Sequence, residues 1–155
     1  VKQKQYVLWQ DYKVDCGLLA AKVCNFAKIN RVSYHTVIAL PRGGMLAGQL
    51  VGYELQYRKL EPEGPFPFFI ATNVLPTMLQ AIRANVPRDK PAVLVDDIWD
   101  TGWTMQTVID VLKDYCRPLI TATVYWKEQE TACAPDLWVS KKDPGKWLVL
   151  PFDND

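Results

Sequence analysis

The chain has 155 residues, a length that one domain accommodates, and 49% of them are hydrophobic, ample for a core. Lys and Arg number 18 against 17 acids, a formal charge of +1, so no global field exists to recruit nucleic acid or an anionic membrane. Any anion must be held by local groups, and we expect no nucleic-acid partner and no stable membrane insertion.

Four cysteines, Cys16, Cys24, Cys116 and Cys133, show no C-x-x-C spacing, and the single histidine, His35, leaves no Cys/His metal cluster. They read as reduced thiols. No charged leader followed by an apolar stretch opens the sequence, and no apolar run approaches the ~18 residues of a membrane span, so the cytoplasm is the expectation.

In chain order, Tyr6 to Trp9 reads as a short strand or extended lead, and Asp11 opens a helix with Cys16, Leu19, Val23 and Phe26 on one face, ending near Asn30. "TVIAL", Thr36 to Leu40, is apolar and partly β-branched without alternation, as in a strand covered on both faces. "PRGG" breaks it at Pro41 to Gly44. Ala47, Leu50, Val51 and Leu55 then recur at helical spacing, and Gly48 and Gly52 would let that helix approach a sheet closely.

Residues 61 to 68, "EPEGPFPF", suit a loop or irregular edge strand because three prolines remove ladder donors. A further helix follows on Leu75, Met78, Leu79, Ile82 and Val86, with Pro76 in its first turn. "AVLV", Ala92 to Val95, is a second buried strand, followed by "DDIWDTGWT" and a helical stripe of Met105, Val108, Ile109, Leu112 and Tyr115 that Pro118 stops. "LITATVYW", Leu119 to Trp126, completes a β-α-β unit, which is nearly always right-handed with parallel strands, so an α/β architecture is predicted. The tail holds "APDLWVS", a "DPG" turn and "KWLVLPFDND", short extended pieces expected to cap the sheet edge.

The chemistry gathers in two loops. In a parallel sheet ligands sit at the C-terminal ends of strands, where both the 41–44 and 100–104 turns fall. "DTGWT" before a helix offers backbone N–H groups, the hydroxyls of Thr101 and Thr104 and the positive end of a helix dipole, a combination suited to phosphate. Read alone, Asp100 or Thr101 caps the helix and Gly102 shapes the turn. Capping leaves Asp96 and Asp97 unexplained; adjacent carboxylates suit ribose hydroxyls or Mg²⁺, with a solvated turn as the plainer alternative.

Val95 to Thr104 resemble the phosphoribosyl-pyrophosphate (PRPP) signature of the type I phosphoribosyltransferases. "YVLWQDYKVDCGLLAAKV", "VIALPRGGMLAGQLVGYEL", "TVYWK" and "WLVLPFD" follow the same order as similar segments in the bacterial xanthine-guanine members of that family. The resemblance implies a three-layer α/β fold with a mostly parallel central sheet and a small C-terminal hood. Residues 1–126 would form the PRPP-binding core, with 57–90 as an atypical lid, and 127–155 the hood, all within one domain.

Carried across by position, Asp96 and Asp97 would hold the ribose hydroxyls, directly or through Mg²⁺, and Asp100, Thr101, Gly102, Trp103 and Thr104 would cradle the 5′-phosphate. Arg42 and Gly43 would face pyrophosphate. Asp100 resembles the general base near purine N7, and Lys127 the donor to the exocyclic oxygen at C6, although a lysine after a strand is commonly just exposed. Trp147 would stack on the base, with the backbone around Trp147 and Leu148 reading its C2 edge; otherwise Trp147 is core of the tail. The implied reaction moves the phosphoribosyl group from PRPP to guanine, xanthine or hypoxanthine in a homodimer or homotetramer.

Two departures stand out. The lid region "PFPFFIATNVLPTMLQAIRANVPRDK" lacks the family's usual Ser-Tyr pair, and Val149 replaces an acidic residue near the metal, leaving Asp153 as the nearest substitute. A PRPP-binding regulator without turnover, or a transferase for another acceptor, are the alternatives these departures raise.

Overall fold

The computed structural model describes residues 2–57, 67–69, 75–129 and 133–153. In chain order the elements are β1 (Lys4–Tyr6), α1 (Trp9–Asn30), β2 (Thr36–Ala39), α2 (Gly44–Tyr57), β3 (Pro67–Phe69), α3 (Leu75–Asn85), β4 (Ala92–Trp99), α4 (Trp103–Leu112), β5 (Leu119–Trp126), β6 (Leu137–Lys141) and β7 (Trp147–Val149). Five strands form one sheet in the order β3-β2-β4-β5-β6, and β1 pairs with β7 in a second, two-stranded sheet. Every strand pairing among the described residues is parallel.

Because successive strand residues point to opposite faces, a sheet covered on both sides must be apolar at every position. β2 is buried throughout, as is β4 from Ala92 to Val95. Val37, Val93 and Val95 pack with α1 and α2 residues such as Leu19, Val23, Ala47 and Val51. Ile38, Ala92 and Leu94 pack on the other face with Met78 and Ile82 of α3 and Met105, Val108 and Leu112 of α4. The result is the expected three-layer α/β arrangement.

α2 sits close to β2 because Gly48 has no side chain: a Cβ there would come within 2.5 Å of the Ala39 Cβ. α1 ends at Asn30, followed by Arg31 in the left-handed region at φ 53°, whose amide turns back on Ala27 and Lys28 carbonyls. Among the described residues Cys16, Cys24, Cys116 and Cys133 form no disulfide with one another, and the first three are buried. No described helix is long and apolar enough to cross a membrane.

Several boundaries differ from the sequence reading. α1 begins at Trp9, not Asp11, so Trp9 belongs to the helix; β1 ends at Tyr6, and Leu8 is still extended. α4 ends at Leu112, leaving Tyr115 in the following turn, where its amide bonds the Leu112 carbonyl. β4 runs on to Trp99, so Asp96 and Asp97 lie inside the strand and the solvated-turn alternative fails. In the tail, β6 joins the main sheet beside β5, and only β7 leaves it, to pair with β1. The extended "LWVSK" finds an open sheet edge within reach, and an unpaired edge is what such a segment satisfies best. Residues 58–66 and 70–74 of the lid lie outside the described residues, whereas the helix expected from Leu75 is present as α3.

Candidate active site at the carboxyl end of the central strands

β4 loses its alternation at the acidic pair. Val95 and Ile98, three residues apart, both pack toward α1 and α2, while Leu94 and Trp99, five apart, both face α3 and α4. Side chains take over the backbone amides there: Asp96 Oδ1 accepts the Asp97 N–H at 2.9 Å, and Asp97 Oδ1 accepts the Ile98 N–H at 2.7 Å. Aspartate competes with ladder bonding in this way because its short carboxylate reaches neighbouring amides.

The two carboxylates consequently serve different surroundings. Asp96 lines a cleft of ≈ 80 Å³ together with Ile98, Trp99 and residues 100–105. Asp97 lies against Gly43, where any Cβ would overlap its carboxylate. Gly43 is held from behind, its carbonyl accepting the Tyr12 hydroxyl at 2.8 Å. The next glycine is equally constrained, since a Cβ on Gly44 would lie 2.7 Å from the Val95 carbonyl oxygen and 2.9 Å from Asp96 Cα. The "PRGG" turn is therefore seated on the acidic strand end, with Arg42 exposed beside it and a cis peptide between Pro41 and Arg42.

Burial raises the proton affinity of Asp96 well above the ordinary carboxylate range, and the charge of Asp97 adds to the effect. Burial also raises Asp97, with the charge of Asp153 contributing. Asp153 is near enough for that influence although its own Oδ2 accepts the Leu150 N–H at 2.8 Å. Nearby, burial pushes the Cys16 thiol up to about 12 and also raises the Tyr12 phenol, so both stay protonated beside the acids. Such a site favours anything that brings positive charge or hydrogen-bond donors to the carboxylates.

The start of α4 is open. Its N-cap is Gly102, at φ 75°, with no side-chain capping bond. Thr101 Oγ1 accepts the Trp103 N–H at 3.3 Å, a weak local contact, and Thr101, Trp103 and Thr104 are exposed around the cleft. A Cβ on Gly102 would lie 2.7 Å from the Trp99 indole nitrogen, so glycine is required there by both φ and space. That indole N–H is buried without a partner.

Asp100 does not cap the helix. Its Oδ2 accepts from Lys127 Nζ at 2.9 Å and its Oδ1 from Gln129 Nε2 at 2.7 Å. The Lys127 side chain is only 3% exposed, so the reading of a solvated lysine after a strand fails. β5 carries it there: the Lys127 N–H extends the ladder by one bond to the Trp99 carbonyl at 2.8 Å. Trp147 is 56% exposed, which excludes a core role, and its ring lies 5.8 Å from Lys127 Nζ. Leu148, beside it on β7, is buried.

The site residues predicted on four separate segments thus meet at one end of the sheet, with Arg42 and Gly43 adjoining Asp97 and the Lys127–Trp147 pair adjoining Asp100. Gln129 went unnoticed in the sequence. The signal was the K-x-Q spacing after a strand, because residues two apart in extended chain share a face. A larger cavity of ≈ 460 Å³, lined by Tyr6, Asp11, Asp15, Tyr125 and Lys142 among others, contains none of the predicted site residues.

The family model for the phosphoribosyl transferase domain matches residues 2–147. Among solved structures, a purine phosphoribosyltransferase from Pyrococcus horikoshii shares 23% identity at a TM-score of 0.73, covering 99% of this chain and 96% of that one. A Neisseria gonorrhoeae protein solved with bound ppGpp shares 20% identity at a TM-score of 0.72, covering 99% and 91%. The Helicobacter pylori xanthine-guanine-hypoxanthine phosphoribosyltransferase shares 17% identity at a TM-score of 0.62, covering 96% and 92%. The chain belongs to the phosphoribosyltransferase family.

Proposed function

We propose that this protein is a purine phosphoribosyltransferase that transfers the 5-phosphoribosyl group of PRPP to a 6-oxopurine, releasing pyrophosphate and a nucleoside 5′-monophosphate. One observation carries the reading: the buried Lys127 ammonium lies between the Asp100 carboxylate, at 2.9 Å, and the Trp147 ring, at 5.8 Å. A proton acceptor, a hydrogen-bond donor and an aromatic face, from residues 27 and 20 positions apart in the sequence (127 − 100 and 147 − 127), form one set able to receive a flat base. The Pyrococcus and Helicobacter neighbours are a purine phosphoribosyltransferase and a xanthine-guanine-hypoxanthine phosphoribosyltransferase, in agreement with it.

In this reading the free amides and hydroxyls of residues 101–104 bind the 5′-phosphate, helped by the α4 dipole. Asp96 and Asp97 accept the ribose hydroxyls, and Arg42 with the Gly43 backbone binds the pyrophosphate. Trp147 stacks on the purine while the backbone around Trp147 and Leu148 reads its C2 edge. Lys127 donates to the C6 oxygen, which selects against the amino group of adenine. Asp100 takes the proton from the ring nitrogen as the new bond to ribose forms.

The donor set at Asp96 and Asp97 fits Mg²⁺, a hard cation that binds through one or two carboxylates and fills its remaining positions with substrate oxygens and water. Among the described residues no group of three or more His, Cys, Asp or Glu gathers to hold a metal by itself. Asp153 belongs at the edge of this set. When bound, the ion supplies neutralisation of charge on the departing pyrophosphate.

The test is pyrophosphate release with PRPP, Mg²⁺ and a panel of guanine, xanthine, hypoxanthine and adenine. Sustained turnover with at least one 6-oxopurine and none with adenine is expected; no turnover with any 6-oxopurine sinks the reading. We extend the proposal to a hood built on the β1–β7 pair and to assembly as a homodimer or homotetramer, measured by light scattering.

A further inference from the structure

We infer that Gln129 is a positioning residue for Asp100, holding one carboxylate oxygen while Lys127 turns from the other oxygen to the bound base. The inference rests on Asp100 being the proton acceptor of the reaction proposed above.

The geometry is a two-point clamp. Lys127 Nζ donates to Oδ2 at 2.9 Å and Gln129 Nε2 to Oδ1 at 2.7 Å, one donor per oxygen. The two donors lie two positions apart just past the end of β5 and reach the same carboxylate, the spacing at which side chains share a face in extended chain. Glu128, between them, points outward and pairs with Lys141 Nζ at 2.7 Å, which ties this extension to the end of β6.

The two donors differ in what a base can offer them. An ammonium attracted by the C6 oxygen of a purine must share or leave Oδ2, so Lys127 alone would release Asp100 to rotate about its Cβ–Cγ bond when it is needed. Gln129 binds the opposite oxygen and has no competing claim. Being a neutral amide, it fixes the carboxylate plane without adding a second positive charge, and one lone pair on each oxygen stays available to accept a proton. General-base efficiency depends on that placement, since the acceptor must stand within hydrogen-bond reach of the proton it removes.

The experiment compares Gln129→Met, close in volume but lacking the donor, with Gln129→Glu, which sets a carboxylate against Asp100, and includes Asp100→Asn as a reference. Each is assayed in full-length protein with the best purine of the panel, with circular dichroism confirming the fold. Gln129→Met is expected to lower kcat about tenfold, equivalent to about 1.4 kcal/mol, with purine KM changed less than about threefold. Gln129→Glu is expected to lower kcat further. If both Gln129 variants keep wild-type kcat while Asp100→Asn is impaired, the positioning role is overturned and the base assignment stands. If Asp100→Asn itself keeps wild-type kcat, the base assignment fails and the positioning role falls with it.

Discussion

The two halves of the site are made differently. The half proposed to face phosphate is nearly contiguous: β4, the 100–104 turn and the first turn of α4 follow one another, and only the seated "PRGG" turn is imported. The half proposed to face the base is assembled from the ends of β4, β5 and β7, through Asp100, Lys127, Gln129 and Trp147. A half made of backbone amides and missing Cβ atoms has little freedom to vary, whereas one made of long side chains can retune its ligand. The first should set whether a phosphorylated sugar binds, and the second which acceptor is used.

The largest test of that division is Asp100→Asn. It should cut kcat for purine by about 10²–10⁴-fold, the usual scale for losing a general base. PRPP affinity, read by isothermal titration, should change far less; an equal loss of both would erase the distinction between the halves.

Trp147→Ala comes next. Loss of base stacking is worth about 1–3 kcal/mol, so purine KM should rise by roughly 5- to 150-fold with PRPP KM nearly unchanged. The reverse pattern would assign Trp147 to the other half.

Gly102→Ala probes the phosphate side. A methyl would meet the Trp99 indole nitrogen at 2.7 Å on a residue held at φ 75°, and such backbone strain costs about 1–3 kcal/mol. PRPP KM should rise about tenfold with purine KM little altered, and the melting temperature should drop. If purine KM responds more than PRPP KM, the two halves are coupled through the loop.

The smallest effect concerns pH. Asp96 has a folded-state proton affinity above its ordinary value of 3.8, so between that value and its raised one the folded chain binds more protons than the unfolded chain. Stability contributed by the protonated form is therefore present in acid and lost as pH rises through the window. Differential scanning fluorimetry without metal should show a melting temperature falling by a few degrees across it, and Asp96→Asn should flatten the slope. Added Mg²⁺ should restore more stability at the alkaline end than at the acid end; equal restoration would detach the ion from this pair.

Local pattern made much of this legible. Unbroken apolar strands, helical stripes and the Gly-bearing turns located β2, α2, β4, α4 and β5, because periodicity and turn chemistry are properties of neighbouring residues. The same locality exposed the glycine-bearing turn at 100–104. It stopped short at Asp96 and Asp97, read as the tip of a strand ending at Val95, because the ladder to β5 continues at Asp96↔Thr123 and Ile98↔Tyr125 despite the acidic side chains. It failed also for "LWVSK", whose place in the main sheet depends on the free edge of β5, a feature no tail residue encodes alone.

By itself, then, the sequence determined the layered parallel architecture and the acid-then-glycine turn, since both can be read from patterns a few residues long. Only the tertiary structure decided that Asp97 rests on Gly43 while Asp96 opens to the cleft, that Lys127 is buried and Trp147 exposed, and that Gln129 shares Asp100. Those facts depend on the twist of β4 and on which strand ends meet, and such long-range geometry is fixed by the packing of the whole sheet.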